Sequence, residues 1–226
     1  MVLGYKELGL VPYQKAWALQ ETLRKLRTQE KIPNTLLLLE HPPVITLGRR
    51  AQEGDILLDF PTLHSRGVEV VRIDRGGEVT YHGPGQLVGY LIFHLSITKG
   101  SIKELVNLLE KALISALQMF GIKGHQNSRH RGVWVGEEKI AALGLSVSHQ
   151  VTTHGFALNV CTDLSAFRWI VPCGIRNAGV TSMEQVLGTS ISLVRVIPVI
   201  RDSIQYTFSF SSLQEIVLPE VQEALV

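Results

Sequence analysis

Apolar and polar positions alternate along the chain in two periods, and the period changes several times. After Pro12, residues Tyr13, Trp17, Gln20, Leu23 and Leu26 recur at helical spacing with charges between them, which predicts an amphipathic helix over 12–30. Pro33-Asn34 breaks it, and Thr35–Glu40 and Val44–Leu47 read as strands separated by His41-Pro42-Pro43, where two prolines cannot donate to a ladder. Residues 49–60 read as an irregular loop, Val68–Ile73 as a strand and Leu87–Leu95 as another. The clearest helix is Ser101–Phe120, opened by the capping-box pair Ser101 and Glu104, striped by Leu105, Leu109, Ala112, Leu113 and Ala116, and closed by Gly121. Three strands follow, Gly132–Val135, Lys139–Ser148 and Val151–Val160, joined through Gly136-Glu137-Glu138 and His149-Gln150. Thr181 with Glu184 suggests a short capped helix, Pro198–Phe208 a last long one, and Leu213–Leu225 a weak helical pattern. Strands in the middle with hairpin-length connections predict an α+β fold with a mainly antiparallel or mixed central sheet flanked by helices. We expect one domain over 1–226, with 211–226 a weakly packed tail.

Between two of these strands lies Arg75-Gly76-Gly77-Glu78-Val79-Thr80-Tyr81-His82-Gly83-Pro84-Gly85-Gln86, with four glycines in twelve residues. Missing Cβ atoms let backbone approach a ligand closely, and Arg75, Thr80, Tyr81 and His82 can point polar groups into the same space. We expect a site there and not a linker.

Composition narrows the picture. The 226 residues are 45% hydrophobic and 19% charged with net charge +2, so no general nucleic-acid role follows, although arginines gather locally at Arg49, Arg50, Arg72, Arg75, Arg129 and Arg131. An apolar run of the roughly 18 residues needed to span a bilayer does not occur, and residues 1–10 resemble neither a signal nor a transit peptide. Two cysteines, Cys161 and Cys173, are too few for a disulfide framework and point to a reducing, cytoplasmic setting. A phosphate loop, zinc-spaced Cys or His pairs and a Gly-x-Ser-x-Gly elbow are absent from the sequence.

Cys173 lies in Val171-Pro172-Cys173-Gly174-Ile175, on a turn and not within a ladder, which suits a nucleophile if a nearby cation lowers its pKa. The alternative of a small buried hydrophobe fits Cys161 better, since it closes a strand. Lys139 opens an otherwise apolar strand, either as a surface cap or as the partner of a thiol. His154, in Thr153-His154-Gly155-Phe156-Ala157, is open between a site role and a hydrogen-bonded core histidine, whereas His82 belongs to the glycine-rich segment. His125 and His130 read as surface residues.

Five blocks in order carry a resemblance: His41-Pro42-Pro43 with Thr46-Leu47-Gly48-Arg49; Arg75 to Gln86; Gly132-Val133-Trp134-Val135 with Lys139-Ile140-Ala141-Ala142-Leu143-Gly144; Thr153 to Asn159; and Val171 to Ile175. Together they closely resemble the lipoyl(octanoyl) transferases, from the first helix to about Val186. The resemblance implies a fold shared with biotin and lipoate ligases, and transfer of octanoyl from acyl carrier protein to a lysine of lipoyl domains of 2-oxoacid dehydrogenases and the glycine cleavage H protein. It implies no cofactor, metal, nucleic acid or membrane. By it, Cys173 is the thioester nucleophile and Lys139 its partner. Arg75, Gly76, Gly77, Glu78, Val79, Thr80, Tyr81, His82, Ala142, Leu143, Gly144, His154, Gly155, Phe156 and Ala157 would hold the acyl substrate. Two departures stand out: Arg131 replaces a smaller polar residue common in the family, and 125–131 is unusually basic and histidine-rich. The alternatives are an ATP-dependent lipoate ligase, which would not need Cys173, a non-catalytic acyl or lipoyl-domain binder, and, more distantly, a cysteine peptidase using His154.

Overall fold

A computed structural model describes residues 1–171, 179–217 and 219. In chain order its elements are β1 (Val2–Leu10), α1 (Tyr13–Thr28), β2 (Asn34–Glu40), β3 (Val44–Leu47), α2 (Phe60–Ser65), β4 (Glu69–Arg72), β5 (Val79–His82), β6 (Gln86–Ile92), α3 (Ile102–Gln118), β7 (His125–Gln126), β8 (Val133–Val135), β9 (Glu138–Ser148), β10 (Val151–Asn159), β11 (Gly179–Val180), α4 (Met183–Leu187), α5 (Leu193–Thr207) and β12 (Ser212–Glu215).

The main sheet runs β12-β1-β2-β6-β10-β9-β8-β7, with β11 added beside β9. Its middle is antiparallel from β2 through β7, while β1 lies parallel to both β2 and β12, and β11 parallel to β9. The sheet is mixed, as expected. A smaller sheet, β4-β3-β5, packs its own apolar cluster around Ile45, Leu63, Val79, Tyr81 and Phe167.

The apolar run in β2 explains the layering. Leu36 and Leu38 face the cluster of α3 and α5, whereas Leu37 and Leu39 face that of α1. A strand covered on both faces reads as a continuous leucine run because each side of the pleat needs apolar residues. Burying four fully enclosed leucines contributes roughly 1.5–3 kcal/mol each relative to exposure. β6 repeats the arrangement, with Leu87 and Leu91 on one side and Val88, Tyr90 and Ile92 on the other.

Local signals placed most boundaries. Ser101 caps α3 by accepting from the Glu104 N–H at 3.1 Å. His149 and Gln150 both take positive φ (51° and 62°), the conformation of a two-residue hairpin turn. A helix that the pattern did not announce, α2, follows the irregular stretch, and its N-cap Asp59 accepts from the Thr62 N–H at 2.7 Å. Three expectations need correction. The cap of α4 is Ser182, not Thr181. α5 starts five residues before Pro198, which sits inside it; the buried stripe of Val196, Ile200 and Ile204 outweighs the missing donor. At the start of the helical pattern over 213–225 the chain is instead strand β12, because β1 offers it a free edge; residues 218 and 220–225 of that pattern lie outside the described residues. Among the described residues no helix is long and apolar enough to cross a membrane.

Candidate active site

The glycine-rich segment is half loop and half strand. β5 pairs antiparallel with β3, so its side chains alternate. Val79 and Tyr81 turn into the small sheet's apolar cluster, with the Tyr81 ring 5.8 Å from Phe167 and 6.0 Å from Trp169. Thr80 and His82 turn the other way and line a cavity. Arg75 anchors the loop: its Nη2 donates to the Thr46 carbonyl at 2.8 Å and to Thr46 Oγ1 at 2.9 Å, and its Nη1 to the Gly76 carbonyl at 3.0 Å. The Gly76 N–H donates to the Leu145 carbonyl at 3.0 Å, which ties the loop to β9.

The cavity has a volume of about 490 Å³. One wall is Arg75, Gly76, Gly77, Glu78, Thr80 and His82; the other is Ala142, Leu143 and Gly144 from β9 with His154, Gly155, Phe156 and Ala157 from β10. Lys139 lies on the same lining. Thus the structure brings together every substrate-holding residue expected from sequence except Val79 and Tyr81, which back the wall from behind.

The buried tyrosines and the His41–His82 pair are uncharged, with the Arg75 guanidinium close enough to act on Tyr13, Tyr90 and His82. His41 Nδ1 lies 2.6 Å from the Val11 carbonyl, which can only accept, so Nδ1 carries the proton and Nε2 accepts from the Tyr90 hydroxyl at 2.7 Å. Burial lowers the His41 pKa to about 4. Burial, then the neighbouring His41, lowers that of His82 to about 3, while His82 Nδ1 pairs with Gln86 Oε1 at 2.7 Å. Burial also pushes the Tyr13 and Tyr90 hydroxyls upward, so both remain phenols. At the other side Asp74 pairs with buried His154 (Oδ1 to Nε2, 3.0 Å) and accepts from Ser146 Oγ at 2.7 Å. The His154 hydrogen bond, foremost, holds the Asp74 carboxyl well below the usual carboxylate range. His154 itself sits in the left-handed region (φ 59°), with its N–H given to Gln20 Oε1 at 2.7 Å.

Lys139 is 7% exposed, and its Nζ lies 5.0 Å from the centre of the Trp134 ring, a cation–π contact. Its carbonyl accepts from the Thr181 N–H at 3.1 Å, and Val180 is its ladder partner in β11. Cys173 lies outside the described residues. The chain is tied on either side of it: the Val171 N–H donates to the Asp55 carbonyl at 2.8 Å, and Gly179 pairs with Glu138. Cys161 is half-buried away from the cavity lining, and burial pushes its thiol up, which disfavours thiolate. Among the described residues no group of three or more His, Cys, Asp or Glu is placed to hold a metal ion.

The family described as lipoyl protein ligase A/B catalytic domain matches residues 12–205. The chain belongs to this family. An octanoyltransferase from Caldicellulosiruptor bescii is 50% identical over 199 residues, covering 87% of each chain. A solved lipoate-protein ligase A bound with ATP shares the fold at a TM-score of 0.77 and 15% identity, covering 99% of this chain and 91% of that one. A bi-partite lipoate protein ligase with its E2 lipoyl domain, from Thermoplasma acidophilum, does so at 0.73 and 16%, covering 99% and 89%. The resemblance carried by the five sequence blocks is borne out, and so is the ligase-like α+β fold.

In this lipoyl protein ligase A/B catalytic domain, sequence reasoning missed several cavity residues. Tyr13, Val88 and Tyr90 form the inner end, and Arg50, Arg129, His130 and Arg131 rim the mouth. Tyr13 and Tyr90 sit at positions whose spacing marks core, and nothing local separates a core tyrosine from one whose hydroxyl meets a cavity. Asp74 carried a signal, since it directly precedes the glycine-rich segment. The rim arginines were visible as a local basic excess, and His130, exposed as expected, stands among them.

Proposed function

We propose that this protein transfers an octanoyl group from an acyl carrier protein to a lysine amine of lipoyl domains, those of 2-oxoacid dehydrogenases and of the glycine cleavage H protein, through a thioester on Cys173. The octanoyltransferase name of relatives at high identity supports the acyl group. The observation that carries the reading is the cavity itself: about 490 Å³, lined in part by apolar residues such as Val88, Leu143, Phe156 and Ala157, with a buried lysine on its wall. An apolar chain suits an end whose imidazoles are neutral and already hydrogen-bonded, and each buried methylene contributes about 0.8 kcal/mol. That volume is in the ordinary range for small-ligand sites.

In the first half-reaction the Cys173 sulfur attacks the octanoyl carbonyl, the carbonyl–sulfur bond to the carrier breaks, and the carrier thiol leaves with a proton supplied by Lys139. One thioester replaces another, so no ATP is consumed. In the second, the neutral target amine attacks the Cys173 thioester, Lys139 takes the proton the nitrogen loses, and an amide forms as Cys173 is released as its thiolate, which restores the starting pair. The strand pairing of Lys139 with Val180, a few residues beyond Cys173 in sequence, supports a dyad of these two residues. The basic rim of Arg50, Arg129 and Arg131 suits an acidic carrier protein. A free thiol as nucleophile fits a reducing, cytoplasmic setting.

The test is intact-mass analysis after incubation with octanoyl-acyl carrier protein in the absence of ATP. One octanoyl mass on Cys173 and none on Cys161 is expected. Acylation that requires free acid and ATP would assign the chain to the ligases instead, and labelling at Cys161 would overturn the nucleophile. Lys139→Ala should slow acylation at least tenfold with the fold retained.

A further inference from the structure

Glu110 stands on the buried stripe of α3 beside Leu109 and Leu113, 1% exposed, where the other buried residues of the helix are apolar. Its carboxylate reaches out of the helix layer to the chain that precedes β8. Oε1 accepts from the Gly132 N–H at 2.9 Å, Oε2 accepts from Gln126 Nε2 at 2.7 Å, and the Arg131 guanidinium lies 3.6 Å away. A buried carboxylate that keeps its charge needs such partners, and these all come from one short segment.

That segment encloses the Lys139 side chain. Gly132 (φ 129°) lies so close that a Cβ on it would meet the Ala141 carbonyl oxygen at 2.6 Å and Lys139 Cε at 3.3 Å. The lysine stem therefore runs against bare backbone. Two residues on, the Trp134 ring lies 5.0 Å from Nζ, and its indole N–H donates to the His130 carbonyl at 3.3 Å. The ladder alone does not fix this arrangement. The register between β8 and β9 shifts between Val133, opposite Ala141, and Trp134, opposite Lys139, so the pairing skips Ile140, directly beside the lysine. Glu110 supplies the missing restraint from outside the sheet.

We propose that Glu110 is a positioning residue for Lys139: by holding Gly132 it sets the channel between Gly132 and Trp134 that aims the ammonium. This rests on the reading of Lys139 as the group that moves the proton. Misplacing a reacting group by about 1 Å can cost up to a hundredfold in rate.

Two mild substitutions separate reach from charge. Glu110→Asp keeps the charge but withdraws the carboxylate by one carbon–carbon bond, about 1.5 Å. Glu110→Gln loses the charge but keeps an oxygen on the Gly132 N–H, and Gln126 can turn its amide oxygen toward the new NH₂. With octanoyl-acyl carrier protein as donor, we expect Glu110→Asp to lower kcat about tenfold or more with KM within twofold of the parent, and Glu110→Gln to stay within about threefold in kcat. A parent-like kcat in Glu110→Asp, equal loss in both variants, or a loss confined to KM overturns the proposal. Thermal unfolding of both variants identifies a loss that comes from unfolding, and a Glu110→Asp protein that unfolds while Glu110→Gln is fully active and stable shows a structural role and likewise overturns it. Lys139→Ala run in parallel keeps the two ideas apart: full activity there removes the reading of Lys139, whatever Glu110 does.

Discussion

The two walls of the cavity rest on backbone and side-chain bonds in different proportions. The β9–β10 wall is held by backbone: eight consecutive residue pairs, from Val151 with Ser148 to Leu158 with Ala141, form its ladder, and β6 continues it on the other side of β10. The wall from Arg75 to His82 has backbone bonds as well, in the β5–β3 ladder and from the Gly76 N–H to the Leu145 carbonyl, but side chains add the cross-links that fix it: Arg75 on Thr46, His82 on Gln86, Gln86 Nε2 on Asn159 at 2.9 Å, and Asp74 on His154 and Ser146. A ladder survives most substitutions because its bonds belong to no side chain. A wall built from side chains depends on each of them, but it can present polar groups in directions a pleat does not offer. The difference teaches where this family's site can be altered: the sheet wall yields to changes of volume, the loop wall to changes of chemistry.

The largest effect should come from breaking the sheet wall by volume. A Cβ on Gly155 would lie 2.2 Å from the Gly89 carbonyl oxygen and 2.7 Å from Leu91 Cδ1, and a backbone atom cannot step aside as a side-chain tip can. Gly155→Ala should destabilise by about 3 kcal/mol or more, read from the urea midpoint. A loss below about 1 kcal/mol would mean the strands separate more easily than a shared ladder implies. On the loop wall, Arg75→Lys keeps the charge but loses the forked donation to Thr46. It should cost about 2 kcal/mol in the same measurement, together with a weaker hold on donor. Equal stability would show the fork to be dispensable.

The same contrast explains what was legible. The alternation of Leu143 to Val147, and the continuous apolar runs of Phe156 to Leu158 and of β2, announce a sheet because burial on a pleat leaves a pattern in a single segment. The glycine-rich segment announced a site by composition. β1 stayed hidden: Gly4, Lys6, Glu7 and Gly9 interrupt its apolar positions, and it is a strand because Asn34–Glu40 and Ser212–Glu215 flank it, not because of its own pattern. Within the site, the side-chain wall was legible only in its residue types. That Thr80 and His82 face the cavity while Val79 and Tyr81 face away follows from the partner strand β3, and that Asp74 reaches His154 follows from a contact across 80 positions of sequence.

A smaller effect distinguishes the walls by pH. The unfolded His82 imidazole takes a proton near 6.5, the native one only near 3. Below 6.5 the unfolded state therefore binds more protons, so this contribution to stability is complete above that value and is lost as pH falls toward 3. Between pH 7 and 5.5 the loss attributable to His82 should be about 1 kcal/mol. His82→Asn, which keeps a donor for Gln86, should flatten the denaturation midpoint against pH by that amount while leaving the share of His41, lowered to about 4 by the same burial. An unchanged profile would show that His82 is hydrated in the native state. Asp74 acts in a separate window: its pKa is depressed, so its contribution is present above the ordinary carboxylate range and fades only in stronger acid.

The finest test exchanges the faces of β5. Val79 is 1% exposed within the small sheet's cluster, and Val79→Thr puts a hydroxyl there; it should cost about 1 kcal/mol with transfer kinetics intact. Thr80, one residue on, turns into the cavity, and Thr80→Val keeps the shape while removing a hydroxyl from the cavity lining. Its stability should change by less than about 0.5 kcal/mol, and the difference should appear in KM for the acyl donor. If instead both substitutions act on stability alone, the alternation of β5 sorts two pieces of core, and the loop wall ends before Thr80. If Val79→Thr also alters KM, the cavity is shaped from behind as well as from within, and the small sheet becomes a tuning element for the acyl slot and not merely its support.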